Sequence, residues 1–253
     1  MYFDTHAHLD DKKFDEDRAE VIEKIRSAGV SFLVNIGADM ESSVRSVELS
    51  KQYDFIYAAV GLHPYDAEKM TEDELLALEE LAKNERVVAI GEIGLDYHYE
   101  EADKEAQKEW FYKQIKLAEK LNLPYIVHDR DAHGDCLDII KKSGYYNGVM
   151  HCYSGSVEMA KELIKLGFYL SFAGPVTFKN GKKTKEVAEY APLDKILIET
   201  DCPYLSPEPY RGRRNDSSMV PYMAATIAEL KGLSRSEIAK ITEDNGKRFF
   251  GIR

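Results

Sequence analysis

The stretch GVMHCYSGSVEMAKELIKLGFYLS, residues 148–171, contains one complete unit of the fold. Gly148–Met150 is a short apolar run that ends in His151. Met159, Leu163 and Leu166 then recur at helical spacing, and residues 168–171 form a second β-type run. Gly167 stands between the helix and the second strand, where a left-handed C-cap belongs. The same alternation extends in both directions. Strands are predicted at 2–5, 31–36, 55–60, 87–90, 125–127, 148–150, 168–171 and 195–198. Apolar stripes such as Val21-Ile22-Ile25, Leu75-Leu78-Leu81 and Phe111-Ile115-Ala118 lie between them. Gly29 and Gly144 repeat the position of Gly167.

Eight strand–helix repeats without a Ser/Gly linker, charge block or low-complexity segment predict an α/β chain. They point to a single (β/α)8 TIM barrel spanning residues 1–253. The first βα turn, Thr5-His6-Ala7-His8, lacks the glycine-rich phosphate fingerprint of doubly wound sheets, which disfavours that alternative. Residues 234–250 are expected to add two short extra C-terminal helices, with Ser234 and Glu237 forming a capping box.

The chain has 253 residues, of which 44% are hydrophobic and 31% charged, a composition that excludes disordered and collagenous classes. Its three cysteines lack a CxxC spacing and support neither a disulfide framework nor a cysteine zinc site. No apolar run approaches membrane-spanning length and the N-terminus does not read as a signal peptide, so a cytoplasmic location without membrane contact is expected. The formal net charge of −11 argues against non-specific coating of nucleic acid, so any nucleic-acid chemistry must be local.

In a barrel the functional groups gather at the C-terminal strand ends. Here strand one ends in His6 and His8, strand four in Glu92, strand five in His128, strand six in His151 and strand eight in Asp201. His6 and His8 are two apart on a strand and point the same way. Buried ionisable groups at such places must be paired or bind metal. Two histidines with two carboxylates supply one cation, and two more histidines sharing a carboxylate supply a second, with Glu92 as the bridge.

The segments carrying these residues are Phe3-Asp4-Thr5-His6-Ala7-His8-Leu9, Gly61-Leu62-His63-Pro64, Gly91-Glu92-Ile93-Gly94-Leu95-Asp96-Tyr97, His151-Cys152-Tyr153-Ser154-Gly155 and Glu199-Thr200-Asp201-Cys202-Pro203-Tyr204-Leu205. Together they resemble the TatD family of metal-dependent deoxyribonucleases, within the amidohydrolase-like metal barrels. The resemblance implies one ion on His6, His8, Glu92 and Asp201, and a second on Glu92, His128 and His151. It further implies hydrolysis of phosphodiester bonds, of the 3′-to-5′ exonuclease type, with DNA as the expected substrate. A water between two divalent ions has its pKa lowered toward about 7, and Asp201 is the expected proton acceptor. Four imidazoles suit Zn²⁺, Mn²⁺ or Ni²⁺, and the resemblance adds Mg²⁺.

Substrate contacts are expected from His63 and from Arg211, Arg213 and Arg214, with the lysines of 179–185 on a neighbouring loop. No obligate protein partner is inferred. The alternative is a two-metal hydrolase of a small phosphoester, amide or lactone, since the same activated water attacks any of these.

Overall fold

The computed structural model describes residues 1–98 and 103–252. Its strands are β1 Tyr2–Ala7, β2 Val30–Ile36, β3 Ile56–Val60, β4 Val87–Asp96, β5 Tyr125–Arg130, β6 Gly148–Met150, β7 Tyr169–Phe172 and β8 Ile196–Ile198. Helices alternate with them: α1 Arg18–Ser27, α2 Met40–Gln52, α3 Glu72–Leu81, α4 Lys104–Leu121, α5 His133–Ser143, α6 Val157–Leu166, α7 Lys182–Tyr190, α8 Val220–Lys231 and α9 Arg235–Phe250. All eight strands lie in one sheet in chain order, and each pairs in parallel with the next. Thr5 Oγ1 donates to the Ile198 carbonyl at 3.0 Å, Asp201 N to His6 O at 2.9 Å and His8 N to Cys202 O at 2.8 Å. These bonds join the first strand to the last. The protein is a (β/α)8 barrel, as its sequence pattern predicts.

Beyond shifts of one to three residues at other strand ends, the largest being β5, which runs to Arg130 and so contains His128, two elements differ from the sequence expectation. β4 does not stop at Ile90 but continues to Asp96 with every residue buried. Gly91 and Gly94 look like strand breakers in sequence, yet they carry φ of 154° and 148° within the strand and let it bend without ending. Glu92 is therefore inside a strand. The second correction concerns residues 234–250, which form one helix and not two short ones. Ser234 and Glu237 make the expected capping box at its start, and apolar Ile238, Ala239, Phe249 and Phe250 keep one face continuously buried.

That helix has a clear task. Phe249, Phe250 and Ile252 join Phe3, Val34, Ala59, Ile126, Val149 and Leu197 in a buried cluster. The rings of Phe3 and Phe250 lie 5.7 Å apart. A Cβ on Gly246 would meet the Phe3 ring at 2.6 Å, so only glycine lets α9 pack this closely. The strands' other faces build the larger cluster against the helices. Packing thus fills the barrel interior below the strand ends and leaves the C-terminal mouth to polar groups. Among the described residues, no helix is long and apolar enough to cross a membrane.

Candidate metal centre

Six side chains carried on five strands, or just after them, converge at that mouth. His6 Nε2 lies 3.2 Å from His8 Nε2, 3.4 Å from Glu92 Oε2 and 3.7 Å from Asp201 Oδ1. His8 Nε2 is 3.8 Å and 3.5 Å from the same two oxygens. Donors about 2.1 Å from a tetrahedral ion stand about 3.4 Å from one another, so these spacings are those of a ligand set. The other oxygen of Glu92 serves a second group: Oε1 is 2.7 Å from His128 Nδ1 and 3.1 Å from His151 Nε2.

The hydrogen bonds behind these rings decide which nitrogen faces inward. His8 Nδ1 donates to the Ile36 carbonyl at 3.0 Å, and His151 Nδ1 donates to Glu199 Oε1 at 3.0 Å. His128 is turned the other way, with Nε2 donating to Asp96 Oδ2 at 3.1 Å and Nδ1 left facing Glu92. The inward nitrogen of each ring, Nε2 of His8 and His151 and Nδ1 of His128, thus faces the Glu92 carboxylate and, once deprotonated, would offer its lone pair to a cation. The donor set fits divalent cations.

Charge follows the same plan. Against burial, the neighbouring imidazoles, His151 foremost, and the hydrogen bonds from His128 and His151 hold Glu92 well below the usual carboxylate range. Burial would lower His8, but the hydrogen bond and charge of Asp201 keep it at about 9. Burial would likewise lower His128, which Asp96 and Glu92 hold at about 8. His151, flanked by Glu92 and Glu199, is raised despite its burial, while His6, stacked on His151 at 4.0 Å, is lowered by burial and by that neighbour's charge. Without metal, protons partly take the place of the cations.

A family model described as TatD related DNase matches residues 3–251. The chain belongs to the TatD family. It is 52% identical to the uncharacterized metal-dependent hydrolase YabD of Bacillus subtilis, with 100% of both chains covered. It is 31% identical to the 3′-5′ ssDNA/RNA exonuclease TatD of Cronobacter sakazakii, over 98% of this chain and 97% of that one. The TatD homologue YjjV of Escherichia coli superposes with a TM-score of 0.95 at 30% identity, covering 100% of this chain and 98% of that structure. As a TatD protein the chain is a metal-dependent hydrolase, and its clustered histidines and carboxylates are groups that can bind metal.

Asp96 and Glu199 escape a reading that looks only for strand-end ligands. The signal was available: Asp96 lies four residues after Glu92, and Glu199 lies two before Asp201, spacings that keep side chains on one face of extended chain. Asp96 is braced in turn, because Gln107 Oε1 accepts from its N–H and Gln107 Nε2 donates to its carbonyl.

His63 stands at the edge of the cluster. Tyr65 N–H donates to its Nδ1 at 3.1 Å, which places the ring hydrogen on Nε2, 3.9 Å from Glu92 Oε1. Burial and the neighbouring His128 cation push its pKa down to about 3, so the ring is neutral. In that tautomer the ring directs Nε2–H inward as a hydrogen-bond donor, while His63, Glu92 and His128 also lie close enough together to form a group that could hold a metal ion.

A cavity of about 560 Å³ opens over His8, His63, Glu92 and His128, with Tyr65 and Tyr204 in its wall. The three arginines expected to bind substrate lie outside that lining. Arg214 is occupied: it forms a bidentate pair with Asp17, donates to the Lys13 carbonyl at 2.6 Å and covers the Phe14 ring at 4.9 Å. This pairing bridges a large sequence separation and ties the loop to the start of α1. Arg211 covers the Phe178 ring at 4.2 Å, joining the Arg loop to the segment that begins the lysine run. Arg211, Arg213, Lys179, Lys182 and Lys183 are exposed.

Proposed function

We propose that this TatD protein is an exonuclease that removes nucleotides from the 3′ ends of single-stranded DNA, using two divalent ions. His6, His8, Glu92 and Asp201 hold one ion, and Glu92, His128 and His151 hold the other. The observation that carries this reading is the division of the Glu92 carboxylate, with Oε2 turned to His6 and His8 and Oε1 to His128 and His151. When bound, the ions supply Lewis acidity: they acidify a water and offset charge on the phosphodiester.

The chain's own residues do the rest. Asp201 is held below the usual carboxylate range, chiefly by His8 working against burial, so it is ionised at neutral pH and ready to accept the attacking water's proton. His63 Nε2–H donates to a phosphoryl oxygen where negative charge grows. Attack at phosphorus breaks the bond to the leaving sugar oxygen, which is protonated from solvent. Arg211 and Arg213, with the lysines of 179–185, supply positive potential for the rest of the strand, while Arg214 keeps its loop in place. The Cronobacter sakazakii relative, named for single-stranded DNA and RNA, supports the substrate class.

The test is a panel of 5′- and 3′-labelled single- and double-stranded oligonucleotides, each supplied with Mg²⁺, Mn²⁺ and Zn²⁺. Shortening of single strands from the 3′ end is expected, and an Arg211→Ala, Arg213→Ala variant should bind them with a log K–log salt slope shallower by roughly 1.4. Metal-dependent turnover of small esters with no cleavage of any oligonucleotide would refute the nuclease reading.

A further inference from the structure

The charge around the barrel mouth is divided. Away from the basic loops, the cavity wall carries Asp10, Asp11, Asp39, Glu41 and Asp96 against Lys12, Arg45 and Arg130, the last 4.0 Å from Asp96 Oδ2. Arg45 is already engaged, 3.2 Å from Glu41 Oε1 and 3.9 Å from Asp10 Oδ2. Potential on this side is therefore negative beyond the metal ligands. On the β7–β8 side, residues 179–185 hold four lysines and no acid, and Arg211 stacks beside them on Phe178.

A polyanion crossing the metal centre meets opposite conditions on its two sides. The basic rim accepts a continuing phosphate backbone. The acidic cavity repels one, yet it suits an uncharged nucleoside, whose sugar hydroxyls donate to carboxylates and whose base packs on aromatic rings. Tyr65, 66% exposed, supplies such a ring in the same wall, and Tyr204, 45% exposed, a second with one face covered by Lys13 Nζ at 4.1 Å. The volume of about 560 Å³ lies in the range of small-ligand pockets.

We propose that this cavity is the subsite for the terminal nucleoside of the strand and that it selects ends bearing a free hydroxyl over ends bearing a phosphate. The proposal rests on the nuclease reading and adds its end specificity. With the scissile phosphate at the ligand cluster, a terminal phosphate would face Asp39 and Glu41. Like charges brought together in this way weaken binding by about tenfold or more. Asp39 also caps α2 by accepting from Ser42 N–H, a bond that asparagine retains.

The experiment compares single-stranded oligonucleotides ending in 3′-hydroxyl or 3′-phosphate for kcat/KM. It also compares thymidine 5′-monophosphate with thymidine 3′,5′-bisphosphate for binding by calorimetry. The hydroxyl end and the monophosphate should each be preferred by about tenfold or more, and an Asp39→Asn, Glu41→Gln variant should bring both ratios toward one. Equal or better use of the phosphorylated end, or ratios unchanged in the variant, would overturn the subsite. Cleavage without end discrimination defeats this proposal alone, whereas absence of both cleavage and nucleotide binding defeats the nuclease reading beneath it.

Discussion

Replacing Asp96 with asparagine should weaken one metal position and spare the other. In the parent, Asp96 Oδ2 accepts from His128 Nε2 at 3.1 Å and Oδ1 accepts from the His98 N–H at 3.0 Å. Asparagine offers a single acceptor oxygen to these two donors, so one bond is lost along with the charge that helps hold His128 at about 8. His128 then loses the partner that keeps Nδ1 directed at Glu92. Removing a carboxylate behind a ligating histidine typically costs 10–100-fold in metal affinity, or about 1.4–2.7 kcal/mol. Calorimetric titration of metal-free protein with Mn²⁺ or Zn²⁺ should show the tighter equivalent unchanged and the other weakened by that factor if His6, His8 and Asp201 form the tighter site. In the reverse order of affinities, the tighter equivalent is the one that weakens. The substitution is isosteric, so the metal-free melting temperature should stay near the parent's. Equal weakening of both equivalents, or no change in either, would refute the reasoning that Asp96 acts through His128.

Gly94→Ala would place a Cβ 1.9 Å from the His128 carbonyl oxygen at a φ of 148°, forcing β4 and β5 apart. The expected cost is about 2–5 kcal/mol, seen as a melting temperature lower by roughly 5–15 °C in scanning calorimetry. Asp201→Asn should keep the fold while lowering kcat by about 10²-fold or more, measured at matched metal occupancy. Metal affinity should rise with pH through about 8 to 9, because His128, at about 8, and His8, at about 9, carry protons that a cation must displace. Their raised pKa values stabilise metal-free protein fully below about 6.5, and that contribution is lost as pH climbs through 8 to 9. The increase in melting temperature on adding metal should therefore grow from pH 6 to pH 9.

The barrel was legible because strand and helix periods alternate without interruption, and the convergence of His6, His8, His128, His151 and Asp201 because each stands where an apolar run ends. What stayed hidden depends on distance or on backbone. Gly91 and Gly94 read as the end of β4, since a sequence does not show that pairing with β5 resumes at Ile93 after a register shift. Continuous burial along one face of residues 234–250 outweighed the impression of two helices. Arg214 resembled a phosphate ligand, but its partner Asp17 is almost 200 residues away in the chain. The inward Nε2–H of His63 follows from a turn that brings Tyr65 N–H to Nδ1, which spacing alone does not reveal. The acidic cavity is assembled from loops after β1 and β2, whose charges are unremarkable in either loop by itself.

If Glu92 is shared between two cations, the protein binds two ions per chain, and metal stoichiometry measures this. Protein saturated with Mn²⁺ or Zn²⁺, cleared of free ion and measured by inductively coupled plasma mass spectrometry, should contain two ions per chain. Glu92→Gln, which removes the charge common to both positions, should weaken both equivalents in calorimetric titration. Saturation of the parent at one ion per chain, or a Glu92→Gln variant that binds two ions with parental affinity, would contradict the account.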